Sequence, residues 1–205
     1  MSENGKSLLL DGRLLLVLYI SFRLMLLMAY QPLLIDEVER GIGAGGDRLY
    51  HYQLAQLSAD DLWPYRDWWS EFPPLWPLIT TAAYQMLGDN VSYGSWAALL
   101  GVVMIASEAG VLLLMHRIGT RLHGPQTGAA LAWIYALMAA PVVFMWWNFD
   151  SLVVLALLLG LWLLMRGHDK RSAVVIAAGA LMKFVPALLL GAVFRFRSPR
   201  RALTY

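Results

Sequence analysis

The residues best suited to chemistry lie between Asp36 and Leu75. This stretch holds Asp36, Glu37, Glu39, Asp47, Asp60, Asp61, Asp67 and Glu71, with the aromatic run Trp63-Pro64-Tyr65-Arg66-Asp67-Trp68-Trp69-Ser70-Glu71-Phe72. A carboxylate beside a hydroxyl can take its proton as a general base, and aromatic faces can stack on sugar rings. Arg48, Arg66 and, much farther along, Lys183 supply cations that could face a developing negative charge. As a helix, the segment from Asp47 sets Asp47 and His51 one turn apart and turns Tyr50, Leu54 and Leu57 toward a membrane surface. Each residue also has a plainer role. An acid in a first helical turn complements the helix dipole, worth under about 1 kcal/mol when exposed. The tryptophans could form an interfacial belt, and Arg48 could be a solvated loop charge. Gly41, Gly43 and Gly46 have dinucleotide-loop spacing, but a membrane helix precedes them where a strand is needed, so they read as a flexible link. The sequon Asn90-Val91-Ser92 is assigned no role.

Membrane elements must position these groups. Apolar residues make up 59% of the 205-residue chain and charged residues only 15%, against about 25% charged in soluble domains. Apolar runs at about 14–35, 93–115, 128–147, 151–165 and 173–196 predict spans, since a bilayer crossing needs about 20 such residues. The first run is too long for a signal peptide and lacks a small-residue cleavage site, so it reads as a retained span. Basic residues gather at Arg117 and Arg121, at Arg166 to Arg171, and at Arg195 to Arg201, with Lys6 and Arg13 near the N-terminus. The positive-inside bias puts all of these in the cytoplasm and the acidic segment 36–92, with interfacial helices, outside. The fold expected is all-α: a single polytopic domain over 1–205 in a cell membrane, N-terminus cytoplasmic.

Three details stay open at this level. Pro73 to Leu87, about 15 residues, is too short to span and should lie in the outer interface or dip partly in. The run 173–196 has basic clusters at both ends and Lys183 and Pro186 in its middle, which fits either a re-entrant pair of half-helices or one kinked span that breaks the charge bias. Arg23 and Glu108 sit at similar depth in two spans, where they either pair or separately face a water-filled cavity. The absence of cysteine excludes disulfide and thiolate chemistry. A net charge of +2, with the basic residues between spans, is no nucleic-acid footprint.

The ordered motifs resemble a known family. An acidic segment after the first span carrying Asp47-x-x-Tyr50, then Pro64-Tyr65-Arg66-Asp67 and Glu71-Phe72-Pro73-Pro74-Leu75, is similar to the GT-C integral-membrane glycosyltransferases, especially the bacterial polyprenyl-phosphate-mannose-dependent mannosyltransferases. The outer turn Asn148-Phe149-Asp150, the basic inside loop and the Lys183-x-x-Pro186 break follow in that family's order. The resemblance implies a GT-C-like bundle and inverting transfer of a hexose such as mannose from a polyprenyl-phosphate donor to a glycan, glycolipid or protein acceptor outside the cell. It also implies Asp47 as general base; Tyr50, His51, Arg66, Glu71, Asn148, Asp150 and Lys183 are the candidate substrate-binding residues, and Arg23 and Glu108, charged within spans, are structural ones. Phosphate leaves without an acid catalyst, so one carboxylate suffices. Glu71 and Asp150 could position the acceptor or hold a divalent cation, but they define no metal site or cofactor.

The sequence departs from the family in length. GT-C enzymes carry more spans, so the chain is expected to be an N-terminal portion of a longer enzyme. The rival classes are a small transporter or channel, with Arg23, Glu108 and Lys183 along a solute path, and a non-catalytic membrane scaffold.

Overall fold

The computed structural model describes residues 8–40, 47–138, 149–196, 198 and 205. Among these the chain is mostly helical, with one two-stranded hairpin. Helix α1, Gly12–Ala29, starts where the Asp11 carboxylate accepts from the backbone N–H groups of Arg13 (2.8 Å) and Leu14, closing two donors that a helix start leaves unpaired. Its buried stripe is Leu15, Tyr19, Arg23 and Leu27, each one turn from the last. The other faces expose Val17 (60%), Leu18, Met25 and Met28 (70%). Such a surface suits lipid far better than water.

The expected first span of 14–35 ends early. Pro32 cannot donate to a helical ladder and disfavours α geometry at Gln31. Beyond it, strands β1 (Leu33–Ile35) and β2 (Val38–Arg40) pair antiparallel, with Ile35 opposite Val38. The two turn residues, Asp36 and Glu37, both have positive φ, the geometry of a tight two-residue hairpin. Periodicity favoured a continuous apolar helix and missed this.

Three short elements follow. Helix α2, Arg48–Gln56, buries Arg48, His51, Tyr52 and Ala55 and leaves Tyr50 exposed; a 3-10 turn, Leu57–Asp60, continues it. Helix α3, Leu75–Met86, matches the short run expected at 73–87. It is packed into the bundle by Trp76, Pro77, Thr80, Thr81, Ala83 and Tyr84 rather than laid along a surface. The Trp96 indole donates to the Thr80 carbonyl at 3.0 Å and the Tyr52 hydroxyl to the Val91 carbonyl at 2.6 Å. These bonds tie α2 and α3 to helix α4, Tyr93–His123, which Ser92 caps through the Ser95 N–H. At 31 residues, α4 is the longest described helix, and among the described residues α1 and α4 are the two helices long and apolar enough to cross a membrane.

Helix α5, Pro125–Leu137, returns along α4, and its approach is set by Gly128. A methyl there would come within 2.5 Å of the His116 carbonyl and closer still to Thr120, so only glycine permits this backbone distance. The expected span 128–147 is described as helix only to Leu137. Residues 139–148, including Asn148, lie outside the described residues, as do Gly41, Gly43, Gly46, Arg197, Arg200 and Arg201.

The last third is a three-part stack. Helix α6, Asp150–Met165, is followed by α7, Asp169–Ala180, a 3-10 turn, Val185–Leu188, and α8, Leu189–Phe196. The chain reverses at Lys183. Lys183 meets Asp150 at the start of α6, and a methyl on Gly179 would meet both Ala156 and Pro186. Farther down, Gly160 lies against Ile176 and Leu189. At the far end Ser172 Oγ lies 2.5 Å from the Tyr205 hydroxyl. Matching levels on α7 and on the returning segment describe a hairpin with its tip at Lys183, where Pro186 prevents the helix from continuing.

Charge separates along this bundle. One end carries Arg13, His116, Arg121, Arg166 and Arg171, with Arg121 reaching the Met165 carbonyl at 3.4 Å. The opposite end carries the β-hairpin, α2, α3, Asp150 and Lys183, over an apolar core that includes Tyr52, Trp76, Tyr93, Trp96 and Phe149.

Candidate functional site

Helix α2 positions the first candidates. Asp47 stands at its N-cap in α geometry and makes no side-chain capping bond, so the dipole explanation lacks the contact through which a cap usually acts. Its carboxylate is exposed, one turn from His51. The His51 ring is buried. Trp76 Nε1 donates to His51 Nε2 at 3.1 Å, so the proton of the neutral ring belongs on Nδ1. Burial pushes the His51 pKa down to about 4, against an opposing pull from Asp47. The imidazole is therefore neutral at physiological pH.

An aromatic relay connects His51 to the hairpin tip. His51 meets the edges of Phe72 (4.9 Å) and Trp76 (5.6 Å), and Trp76 stacks on Phe149 at 4.5 Å. Phe149 precedes Asp150, whose Oδ1 lies 2.6 Å from Lys183 Nζ, and the same ammonium sits 5.7 Å above the Phe149 ring. The backbone N–H of Leu75 donates to the Leu181 carbonyl at 2.9 Å, fixing the start of α3 against the tip. Four sequence segments, 47–51, 72–76, 149–150 and 181–183, thus meet at the acidic end.

The other candidates lie differently. Arg66 is half-exposed and occupied by its own loop, pairing with Asp61 (3.2 Å) and Asp67 (2.6 Å) and donating to the Asp61 carbonyl. Bonds from the Trp63 side chain and then Arg66 hold the Asp61 carboxyl below its usual range, and the Trp63 backbone N–H does the same for Asp67. Tyr50 and Glu71 are exposed. Among the described residues no three His, Asp or Glu side chains converge as a metal site.

Arg48 corrects the sequence reading. It is 1% exposed, not a solvated loop charge. Its guanidinium lies 2.5 Å from Glu39, and its Nε donates to the Tyr93 hydroxyl, which itself bonds Glu39. Glu39, Arg48 and Tyr93 lock the β-hairpin, α2 and α4 together, so the residue after Asp47 is anchored. Sequence reasoning gave no role to Glu39, Tyr93, Trp76 or Phe149, although Glu39 stood in the acidic stretch and Phe149 in the outer turn. Opposite charge on Glu39 and Arg48 across a glycine-rich segment was the signal for their pairing.

A second buried polar group lies deeper. Arg23 Nε is 3.4 Å from Glu108 Oε2, and the Tyr19 hydroxyl donates to the same oxygen at 2.8 Å while accepting from Arg23 Nη2 at 3.1 Å. These residues close on one another within the α1–α4 contact, and Lys183 is engaged elsewhere. Comparison with known proteins returns no matching family model, no matching curated protein and no matching solved structure.

Proposed function

We propose that this chain carries the active end of a multi-pass membrane glycosyltransferase that moves a hexose from a polyprenyl-phosphate donor to an acceptor on the external face, with inversion. The N-terminus and basic loops lie in the cytoplasm, and the acidic end faces out. The observation that carries this reading is the convergence of Asp47–His51, Phe72–Trp76, Phe149–Asp150 and Lys183 at one end of the bundle. Asp47, Phe72 and Lys183, picked from the sequence for base, stacking and cation roles, lie on segments joined through His51, Trp76 and Phe149.

Their chemistry fits the transfer. The Asp47 carboxylate takes the acceptor hydroxyl proton as the oxygen attacks the anomeric carbon, and the bond to the lipid phosphate breaks on the opposite face. The leaving phosphate keeps the electron pair. Lys183 faces that charge by exchanging its Asp150 partner for phosphate oxygens. His51, neutral and held by Trp76, fixes the Asp47 end of α2 without competing for the proton.

The test is transfer itself. Membranes containing the chain, given polyprenyl-phosphate mannose labelled in the sugar, should move label into an acceptor fraction. Failure with every polyprenyl-phosphate hexose offered would remove this reading.

A further inference from the structure

A cleft of about 680 Å³ opens between α2, the residues after α1 and the first turn of α4, well within the size of small-ligand sites. One face of α2 lines it through Leu49, Tyr52, Gln53 and Gln56, spaced at helical intervals. Gln31 from the end of α1 and Ser92 and Ser95 from α4 complete the polar wall. Gln31, Gln53 and Gln56 are exposed, leaving their amides available as donors and acceptors together.

The aromatic wall is fixed. Tyr52 gives its hydroxyl proton to the Val91 carbonyl, and the Tyr93 hydroxyl is held by Glu39 and Arg48. Both rings are nearly buried and contribute fixed edges to the cleft floor. Among the described residues no lysine or arginine lines the cleft, Glu37 contributes negative charge, and Arg48 behind Tyr93 is taken by Glu39. A phosphate would find no cation among these residues, whereas exposed amides beside serine hydroxyls suit vicinal hydroxyl groups.

We infer that this cleft is a saccharide subsite that holds neutral sugar residues of the acceptor, separate from the Lys183 end where donor phosphate is handled. The assignment rests on the transferase reading above and adds to it where the acceptor lies. Leu49 at the cleft edge is two residues from Asp47, so an acceptor seated here enters from the start of α2.

Binding can be measured without turnover. Purified chain in detergent is titrated with a mannose disaccharide, followed by saturation-transfer NMR, and compared with Gln53→Ala/Gln56→Ala and Gln53→Trp. Wild type should bind saturably, the double alanine variant about tenfold more weakly, as two hydrogen bonds are lost, and the tryptophan variant not at all. Inorganic phosphate should not compete. Absent binding, binding unchanged in both glutamine variants, or competition by phosphate would overturn the subsite. Cleft-dependent binding without any detectable transfer would keep the subsite and remove the transferase, while transfer with cleft-independent binding would do the reverse.

Discussion

Arg23 and Glu108 approach to 3.4 Å inside the contact of α1 and α4, and the Tyr19 hydroxyl bridges them. Both side chains are almost wholly buried, so each neutralises a charge the other could not carry alone. Arg23→Ala and Glu108→Ala should each destabilise the folded chain, with a coupling of about 1 kcal/mol in a double-mutant cycle. Unfolding in detergent measures it. Additive losses would mean that the two residues act separately.

The Glu39–Arg48 pair should be costlier to break. Arg48→Met leaves Glu39 buried without its cation and should lower stability by about 3 kcal/mol, while adding Glu39→Gln should restore part of that loss. Thermal unfolding of the three variants decides. If Arg48→Met were neutral, the anchor of α2 would have to lie elsewhere.

Orientation is accessible because the chain has no native cysteine. A cysteine at exposed Ala59 should react with an impermeant maleimide from outside intact cells, and one at exposed Leu122 only after permeabilisation. The opposite pattern would invert the bundle and put Asp47 in the wrong compartment.

His51 should make stability pH-dependent in a defined window. Its folded pKa, about 4, lies below the ordinary 6.5, so the unfolded chain binds more protons between those values and stability rises with pH. The contribution is complete above about pH 6.5 and lost as pH falls toward 4, roughly 3 kcal/mol in all. Asp61 and Asp67, both held below 3.8, titrate beneath this window. In His51→Asn the decline between pH 6.5 and 4 should flatten; persistence of the full decline would mean another group carries it.

What could be read in advance depended on how local the cause was. The apolar runs located α1, α4 and α6, because burial in lipid or a helical core leaves a composition that needs no partner to recognise. Pro186 and Lys183 likewise marked the break before α8. The β-hairpin was hidden because Leu33, Leu34, Ile35 and Val38 read equally well as the end of a span. Arg48 was misread because its burial is created by Glu39 in β2 and Tyr93 at the start of α4, and the Trp76–His51 bond depends on how α3 packs into the bundle.

The catalytic prediction concerns Asp47. Asp47→Asn keeps shape and exposure but cannot accept a proton at physiological pH, so transfer from polyprenyl-phosphate mannose should fall by about 10² or more. Donor affinity should hardly change, since the proposed phosphate contact is Lys183 and not Asp47. Lys183→Ala should show the complementary defect, weaker donor binding and slower departure of phosphate, because it removes the cation paired with Asp150. Rates at saturating and limiting donor separate the two, with the loss in Asp47→Asn appearing in kcat and much of that in Lys183→Ala in KM. Asp150→Asn frees the Lys183 ammonium and should leave donor affinity intact or raised. Near-normal turnover in Asp47→Asn together with abolition by Glu71→Gln would move the base to Glu71 and keep the reaction class, whereas indifference to all four substitutions would take the chemistry away from this end of the bundle.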